Sequence, residues 1–386
     1  PPITGKRKPM DESRTFETGP IRPPSEAGSY LLRLTRNCPW NRCAFCRTYK
    51  GEAFSLRSPE EIEKDIDAMA MIRDRLLETG SAAGLECRIR GGIDGQAEWM
   101  VGNAISAGGD TAFLQDADSL VMKPDRLRRV LAYFKARFPE VTRITTYARS
   151  RTLAVRTVED LKSYRELGLT RVHIGMETGH DPLLALVDKG VTAEMHIRGG
   201  LHAVEAGLEV SEYAMPGLGG REMSEGHVLD SARVLHAVTP RFIRLRTLSL
   251  GPGFPLWRLF HGPDARLTPL TEVQTVGEIR RLIEALDGTR SRLVSDHIMN
   301  LLGDLEGELP EERERLLEMC DAFLRLSPRE QRLFQAGRRA GLLAGVKDLA
   351  DPQARERSEA VLAALIRACG EENLEEGIQE LKARFI

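Results

Sequence analysis

Leu34-Thr-Arg-Asn-Cys38-Pro-Trp-Asn-Arg-Cys43-Ala-Phe-Cys46 decides how this chain reads. Three thiols fall in one short stretch with C-x4-C-x2-C spacing, directly after the apolar run Tyr30–Leu34. Cysteine thiolates hold iron–sulfur clusters, and a cubane contains four irons. Three cysteines therefore leave one iron without a protein ligand, free to bind something else. A structural zinc site asks for four closed ligands, usually two pairs of Cys or Cys/His. Here one C-x2-C pair stands alone, no His lies nearby, and the nearest further thiol is Cys87. A redox C-x-x-C at Cys43 and Cys46 leaves Cys38 unexplained. The spacing predicts a [4Fe–4S] site at Cys38, Cys43 and Cys46, with zinc and disulfide chemistry as the alternatives.

Outward from this loop the pattern alternates. Helical spacing appears at Pro59–Leu77, Pro124–Phe138, Val158–Gly168, Ala193–Ala206 and Ser224–Val238. Strand-like runs lie between, at Ala112–Leu114, Arg143–Thr146, Arg171–Ile174, Glu209–Met215 and Phe242–Leu248. Ser58–Pro59 and Ser224 are placed to open helices, and Gly168 and Gly207 to close them. With Tyr30–Leu34 this gives a run of strands separated by helices, the signature of parallel β/α units. The Gly-rich stretch 81–109 interrupts that rhythm and reads as an insertion around one helix. Residues 1–28, rich in Pro and charge, read as an extended or disordered arm. After about residue 262 strands are expected to stop. Thr271–Leu286, Pro310–Leu326, Pro328–Leu343 and Gln353–Ala368 carry helical spacing. The expected division is an arm at 1–28, an α/β domain at 29–260 and a helical domain at 261–386.

The 386 residues suffice for a substantial core, and the composition is that of a soluble globular protein. Lys and Arg total 55 against 57 for Asp and Glu. With no basic excess, a sequence-independent nucleic-acid surface is not favoured. No stretch approaches the ~20 apolar residues of a membrane span, and the first residues lack the apolar core of a secretory signal. Six cysteines, unevenly spaced, do not make a disulfide framework. A reducing cytoplasm is the expected compartment. Cys320 and Cys369 read as core thiols, and His173, inside an apolar strand, as a structural residue.

The cysteine loop resembles that of the radical S-adenosylmethionine (radical SAM) superfamily, where C-x3-C-x2-C follows the first strand of a partial (β/α)6 barrel. Phe45 matches the aromatic residue that precedes the last cysteine, although the first gap here is one residue longer. Phe113-Leu-Gln-Asp-Ala-Asp-Ser-Leu120 is similar to the segment that meets the methionine amino group. Thr146-Tyr-Ala-Arg-Ser150 is similar to the strand end that reaches the ribose. Ile174-Gly-Met-Glu-Thr-Gly179 and Tyr213-Ala-Met-Pro-Gly-Leu-Gly-Gly-Arg221 resemble segments of one branch. That branch is shared by anaerobic tetrapyrrole cyclases, coproporphyrinogen oxidase-like proteins and the Elongator catalytic subunit.

The resemblance implies an α/β fold, a partial (β/α)6 TIM-like barrel with a helical C-terminal extension. It implies two cofactors, a [4Fe–4S] cluster and S-adenosylmethionine (SAM). Reductive cleavage of SAM would give a 5′-deoxyadenosyl radical that abstracts hydrogen from a substrate. A small molecule is favoured, a tetrapyrrole-related one among the options, and the reaction subclass (oxidoreductase, lyase or transferase) stays open. An external one-electron donor, flavodoxin or ferredoxin, and anaerobic conditions are implied as well. Carried onto this sequence, the cofactor residues are Phe45, Gln115, Asp116, Asp118, Ser150, Glu177 and Arg221. Asp116 or Asp118 would hold the ammonium, one of them otherwise capping a helix. Glu177 would accept from the ribose or ammonium, and Arg221 would pair with the carboxylate. Ser295, Asp296, His297 and Asn300 are candidates for the substrate side, and no catalytic residue is assigned. Neither a cobalamin-binding domain before the barrel nor a small nucleic-acid-binding β-barrel after it is expected, so the chemistries that use them are not favoured. The rival reading is a non-catalytic zinc or iron–sulfur module that binds RNA or protein.

Overall fold

The computed structural model describes residues 15–78, 93–263 and 265–383. The chain enters β1 (Tyr30–Arg33), makes a small antiparallel ribbon of β2 (Thr35–Arg36) and β3 (Ser55–Leu56), and continues into α1 (Pro59–Glu78) and α2 (Ile93–Ser106). Units of strand and helix follow: β4 (Thr111–Gln115), α3 (Pro124–Arg137), β5 (Arg143–Ala148), α4 (Ser150–Val155), α5 (Val158–Glu166) and β6 (Leu169–Glu177). Next come α6 (Asp181–Leu186), α7 (Ala193–Glu205), β7 (Glu209–Ala214), α8 (Ser224–Val238) and β8 (Phe242–Leu245). Beyond them lie α9 (Trp257–Phe260), α10 (Glu272–Ala285), β9 (Ser291–Val294), β10 (Gly307–Leu309), α11 (Arg313–Leu324), α12 (Pro328–Arg339), α13 (Pro352–Cys369) and α14 (Leu374–Ala383).

The main sheet runs β1-β4-β5-β6-β7-β8-β9-β10, parallel from β1 to β9 and antiparallel at its last pair. Strand order follows chain order without the reversal that marks a doubly wound sheet. This is the singly wound α/β architecture of a partial barrel, followed by a helical C-terminal region. The expectation that strands end near residue 262 is corrected: β9 pairs with β8 in register Ile243↔Leu293, and β10 closes the row. Both are short and interrupted by Arg292 and Glu308, so they lack the apolar run that marks the earlier strands.

Alternation along each strand sorts side chains to two sides. On β6, Val172 and Ile174 join the cluster formed with Ile66, Val130 and Phe134 of the helix layer, and Met176 joins a second cluster. His173, Gly175 and Glu177 face the other way and line a cavity. The second cluster joins Ile243 and Leu245 of β8 to Val276 and Ile283 of α10 and to Phe323 and Phe334 beyond it. One apolar core thus runs from the barrel into the C-terminal helices.

Local signals explain several helix ends. Ser58 and Glu61 cap α1 reciprocally, at 3.2 and 2.8 Å, and Thr157, Thr192, Thr271 and Ser327 cap later helices. Gly168 (φ 103°) and Gly207 (φ 77°) turn out of α5 and α7 through backbone that favours glycine. Ser224 differs from expectation: it begins α8 but gives its hydroxyl proton to the buried Glu278 instead of capping the turn.

Residues 15–28 lie along the barrel as extended chain with one 3-10 turn at Pro24–Glu26; the rest of the expected arm, 1–14, lies outside the described residues. Glu26, fully buried, accepts from Arg143 Nη1 at 2.6 Å and from Ser29 Oγ at 2.6 Å. Glu17 is bound by Arg33 and Arg36. Burial alone would raise its carboxyl pKa, but the Arg36 hydrogen bond and the Arg57, Arg36 and Arg33 charges hold it below the ordinary value. Between these anchors Gly19 exchanges two hydrogen bonds with Gln115, and Ile21 and Arg22 border the cavity.

The C-terminal helices hold the cavity wall through a buried ion pair. Arg339, at the end of α12, donates from Nε to Glu272 Oε1 at 2.9 Å, and its Nη atoms reach the carbonyls of Ile298 and Met299, each at 3.0 Å. Both partners are nearly inaccessible to solvent. Replacing one partner strands the other charge in the interior, which typically costs about 3–5 kcal/mol. Glu272→Ala is therefore expected to lower unfolding free energy by that order in a denaturant titration; a loss below about 1 kcal/mol would contradict this role.

Candidate functional site

The loop after β2 takes its shape from two asparagines in left-handed backbone, Asn37 (φ 69°) and Asn41 (φ 47°), a conformation asparagine tolerates better than most residues. Asn41 fastens the loop onto itself. Its backbone N–H donates to Cys38 Sγ at 3.4 Å, its side-chain amide donates to the Tyr49 carbonyl at 2.5 Å, and its carbonyl accepts from Lys50 Nζ at 2.7 Å.

The loop is also tied to the segment after α6. Trp40 Nε1 donates to the Asp188 carbonyl at 2.6 Å, and Ala44 N–H to the Val187 carbonyl at 2.9 Å. The indole lies so close to Gly190 that a Cβ there would come within 2.3 Å of the ring. Arg42 and Arg149 lie against the same indole, 4.8 and 5.1 Å from its centroid. Phe45 packs beside Leu183, Val187, Met215 and Leu256, with Lys189 Nζ 5.2 Å from its ring centre.

Cys38, Cys43 and Cys46 are free thiols, and all three border one cavity of about 450 Å3. Burial pushes the Cys43 thiol up, while the charges of Lys189 and Arg149 favour its thiolate. Among the described residues no three His, Cys, Asp or Glu side chains gather as a single ion would require. The three free thiols, bordering one cavity with cations beside Cys43, are the donor type that iron–sulfur clusters use.

The other residues singled out in the sequence are placed as follows. Phe45, Ser150 and Glu177 border the same cavity as the thiols. Glu177 ends β6 at an irregular pairing, with φ 65°, and its Oε1 lies 3.2 Å from Lys189 Nζ. A Cβ on Gly175 would fall 2.5 Å from that oxygen, so this glycine is what lets the carboxylate fold back over the strand end. Glu177 Oε2 is buried and has no partner among the described residues. Ser150 Oγ shares a 2.5 Å hydrogen bond with His196 Nδ1.

Gln115, Asp116 and Asp118 lie behind the wall. Gln115 is occupied by Gly19. Asp116, fully buried, accepts from Arg33 Nε at 2.6 Å and from the Tyr49 hydroxyl at 3.0 Å. Asp118 accepts from Thr152 Oγ1 at 2.5 Å and so fixes the start of α4, the turn that carries Arg149 and Ser150. Arg221 is exposed and does not border the cavity. Gly217 (φ 86°) and Gly220 (φ 58°) turn its loop outward, and Glu278 holds that loop by accepting from Gly217 N–H at 2.6 Å.

Of the four substrate-side candidates, His297 borders the cavity. Ser295 and Asn300 bond to backbone instead, at Leu302 and Leu245, and Asp296 pairs with Arg244 at 2.5 Å. Several lining residues were not singled out: Tyr147, Tyr213, Arg246 and, read as structural, His173. Their signal was parity, since Tyr147, His173 and Tyr213 share the lumen side of neighbouring strands.

The Radical SAM superfamily model matches residues 88–232, the stretch that includes β4 to β7. No curated protein matches the sequence. Among solved structures, the radical S-adenosylmethionine methyltransferase TsrM from Kitasatospora setae, with cobalamin and a [4Fe–4S] cluster bound, is 16% identical with a TM-score of 0.42, over 59% of this chain and 36% of that one. Methylornithine synthase (PylB) is 16% identical with a TM-score of 0.42, over 70% and 66%. The FeFe-hydrogenase maturase HydG from Carboxydothermus hydrogenoformans is 13% identical with a TM-score of 0.41, over 92% and 82%. This chain thus spans about a third of the first structure and just under two thirds of the second.

Asp118 gives the site a pH signature. Burial raises its carboxyl pKa to about 6, against the opposing Thr152 hydrogen bond and Arg149 charge. A folded value above the unfolded one, ~3.9, means that ionisation weighs against folding: the penalty is absent below about pH 4 and complete above about pH 6–7. Relative to Asp118→Asn, the unaltered protein should gain roughly 2 kcal/mol of stability between pH 8 and pH 4. Parallel stability curves for the two proteins would contradict this.

Proposed function

We infer that this chain, which carries a radical SAM superfamily domain at residues 88–232, holds a [4Fe–4S] cluster on Cys38, Cys43 and Cys46 and cleaves SAM beside it. One observation carries the reading: the three thiols, Phe45, Ser150 and Glu177 border a single cavity, and Glu177 reaches it from the C-terminal end of a parallel strand. Held by Cys38, Cys43 and Cys46, such a cluster would supply the one-electron reduction of SAM that radical chemistry on a substrate needs, the electron coming from an external donor.

The protein's share is placement. Phe45 offers an aromatic face beside the last thiol. Lys189 and Arg149 offset part of the burial that pushes the Cys43 thiol up. Glu177 Oε2, buried and unpartnered, is an acceptor for a ribose hydroxyl or the methionine ammonium. Ser150, its hydroxyl oriented by His196, offers a second polar contact. Gln115, Asp116 and Asp118 act one layer back, holding the arm, the cysteine loop and α4 in position. Arg221, facing solvent, has no part in this reading.

The cavity volume is in the range of small-molecule sites, which supports a small organic substrate, a tetrapyrrole-related one remaining a candidate. Flavodoxin or ferredoxin is the proposed electron donor, and the cytoplasm under anaerobic conditions the proposed setting. No helix of the described residues is long and apolar enough to cross a membrane.

Anaerobic reconstitution followed by iron analysis and assay of 5′-deoxyadenosine tests the reading. The unaltered protein should bind about four irons and form 5′-deoxyadenosine under reduction, and Ser at any one of the three cysteines should abolish both. Iron content and cleavage unchanged in those variants would refute it. Gly175→Ala should keep its iron but bind SAM at least about tenfold more weakly, because the added Cβ displaces the Glu177 carboxylate. Unchanged affinity would remove Glu177 from the cofactor site.

A further inference from the structure

The inner face of β8 and its continuation carry Phe242, Arg244 and Arg246 at the two-residue spacing of a strand. Two guanidinium groups therefore approach the lumen, and they are treated differently. Arg244 is nearly inaccessible to solvent, and its charge is matched by Asp296, 2.5 Å away. Arg246, one step nearer the strand end, borders the cavity with no carboxylate partner among the described residues.

The lining charges act on different neighbours. Lys189 is paired with Glu177, the carboxylate of the lining, and together with Arg149 it acts on Cys43. Arg246 is felt elsewhere, at Tyr147, Tyr213 and His297. Arg22, Arg47 and Arg149 also border the cavity without an ion-paired carboxylate among the described residues, but Arg246 is the lining arginine felt at Tyr147, Tyr213 and His297. The only carboxylates felt there, Glu177 and Asp296, are already paired with Lys189 and Arg244.

The surface beside Arg246 is aromatic and partly unsatisfied. The His173 ring centre lies 5.8 Å from that of Tyr147 and 5.7 Å from that of Tyr213, each pair inclined by 50°. Burial and the neighbouring arginines lower the His173 pKa to about 3, so the imidazole is neutral, and neither ring nitrogen has a hydrogen-bond partner among the described residues. Burial holds both tyrosines in the phenol form, Tyr213 at about 12. Glu26 Oε1 lies 4.0 Å from His173 Nε2, beyond hydrogen-bond reach, so the buried imidazole keeps polar groups that a ligand with its own polar groups satisfies.

Building on the radical SAM reading of this cavity, we propose that its substrate is a small organic anion whose carboxylate or phosphate pairs with Arg246 while its unsaturated body lies against Tyr147, His173 and Tyr213. A guanidinium suits either anion through paired N–H donors, and a neutral imidazole and phenols suit a flat body with polar edges.

Titration of three probes into the reconstituted protein tests this: benzoate, phenyl phosphate and the neutral isostere benzamide. At least one of the two anions should bind saturably, and the tighter one identifies the substrate's charged group; benzamide should not. Arg246→Gln should weaken the anion at least about tenfold, and Arg246→Lys should restore part of the loss. The proposal is overturned if neither anion binds, if benzamide binds as well as benzoate, or if Arg246→Gln leaves affinity unchanged. Formation of 5′-deoxyadenosine by the unaltered protein is scored separately. Its absence sinks the radical reading and leaves the anion result standing, whereas its presence without anion discrimination sinks this proposal alone.

Discussion

A strand has two sides, and in this molecule the side a residue takes decides its chemistry. On β5 to β8, Ile144, Val172, Val210 and Ile243 pack against the helices, while Tyr147, His173 and Tyr213, of the opposite parity, meet the lumen. Val172 and His173 are neighbours in sequence, yet one is core and the other cavity lining. A one-residue slip of register would exchange these sets, pressing Tyr147, His173 and Tyr213 into the helix layer. Apolar burial on the outer face therefore fixes the inner face as well. The chemistry of the lumen is carried by the packing of the opposite side.

This constraint also separates what the sequence discloses from what it hides. The cysteine loop was legible because its chemistry is in its spacing. The strand end at Glu177 drew attention through the resemblance of Ile174-Gly-Met-Glu-Thr-Gly179 to a family segment; the steric reason for Gly175, whose Cβ would meet the Glu177 carboxylate, is visible only in the structure. The β/α rhythm was legible as far as β8, since each strand there carries an apolar run between helical stretches. Parity within strands that are covered on the outside and open on the inside was not. His173 read as structural because an apolar neighbourhood in sequence says nothing about which side of the sheet a residue meets.

Other residues diverged from expectation through tertiary partners. Ser224 has the position of a helix cap, but Glu278, far along the chain, takes its hydroxyl. Asp116 has the look of a ligand for an ammonium group, but Arg33 and Tyr49 occupy it. Asn300 and Ser295 were plausible cavity residues and instead bond to backbone. In each case short-range sequence indicates a polar group near a strand or helix end and leaves its partner unspecified. Beyond β8 the sheet continues in segments too short and too charged to read as strands, which is why β9 and β10 emerge only in three dimensions.

The arm at residues 15–28 gives the cavity a wall of a different kind from the rest. It is pinned at Glu26 and Glu17, and Ile21 and Arg22 between those pins border the cavity. This lining belongs to no strand of the sheet and carries none of the register that orders the lumen. A change of side chain at Ile21 or Arg22 would therefore alter the cavity wall without disturbing the pairing of any strand.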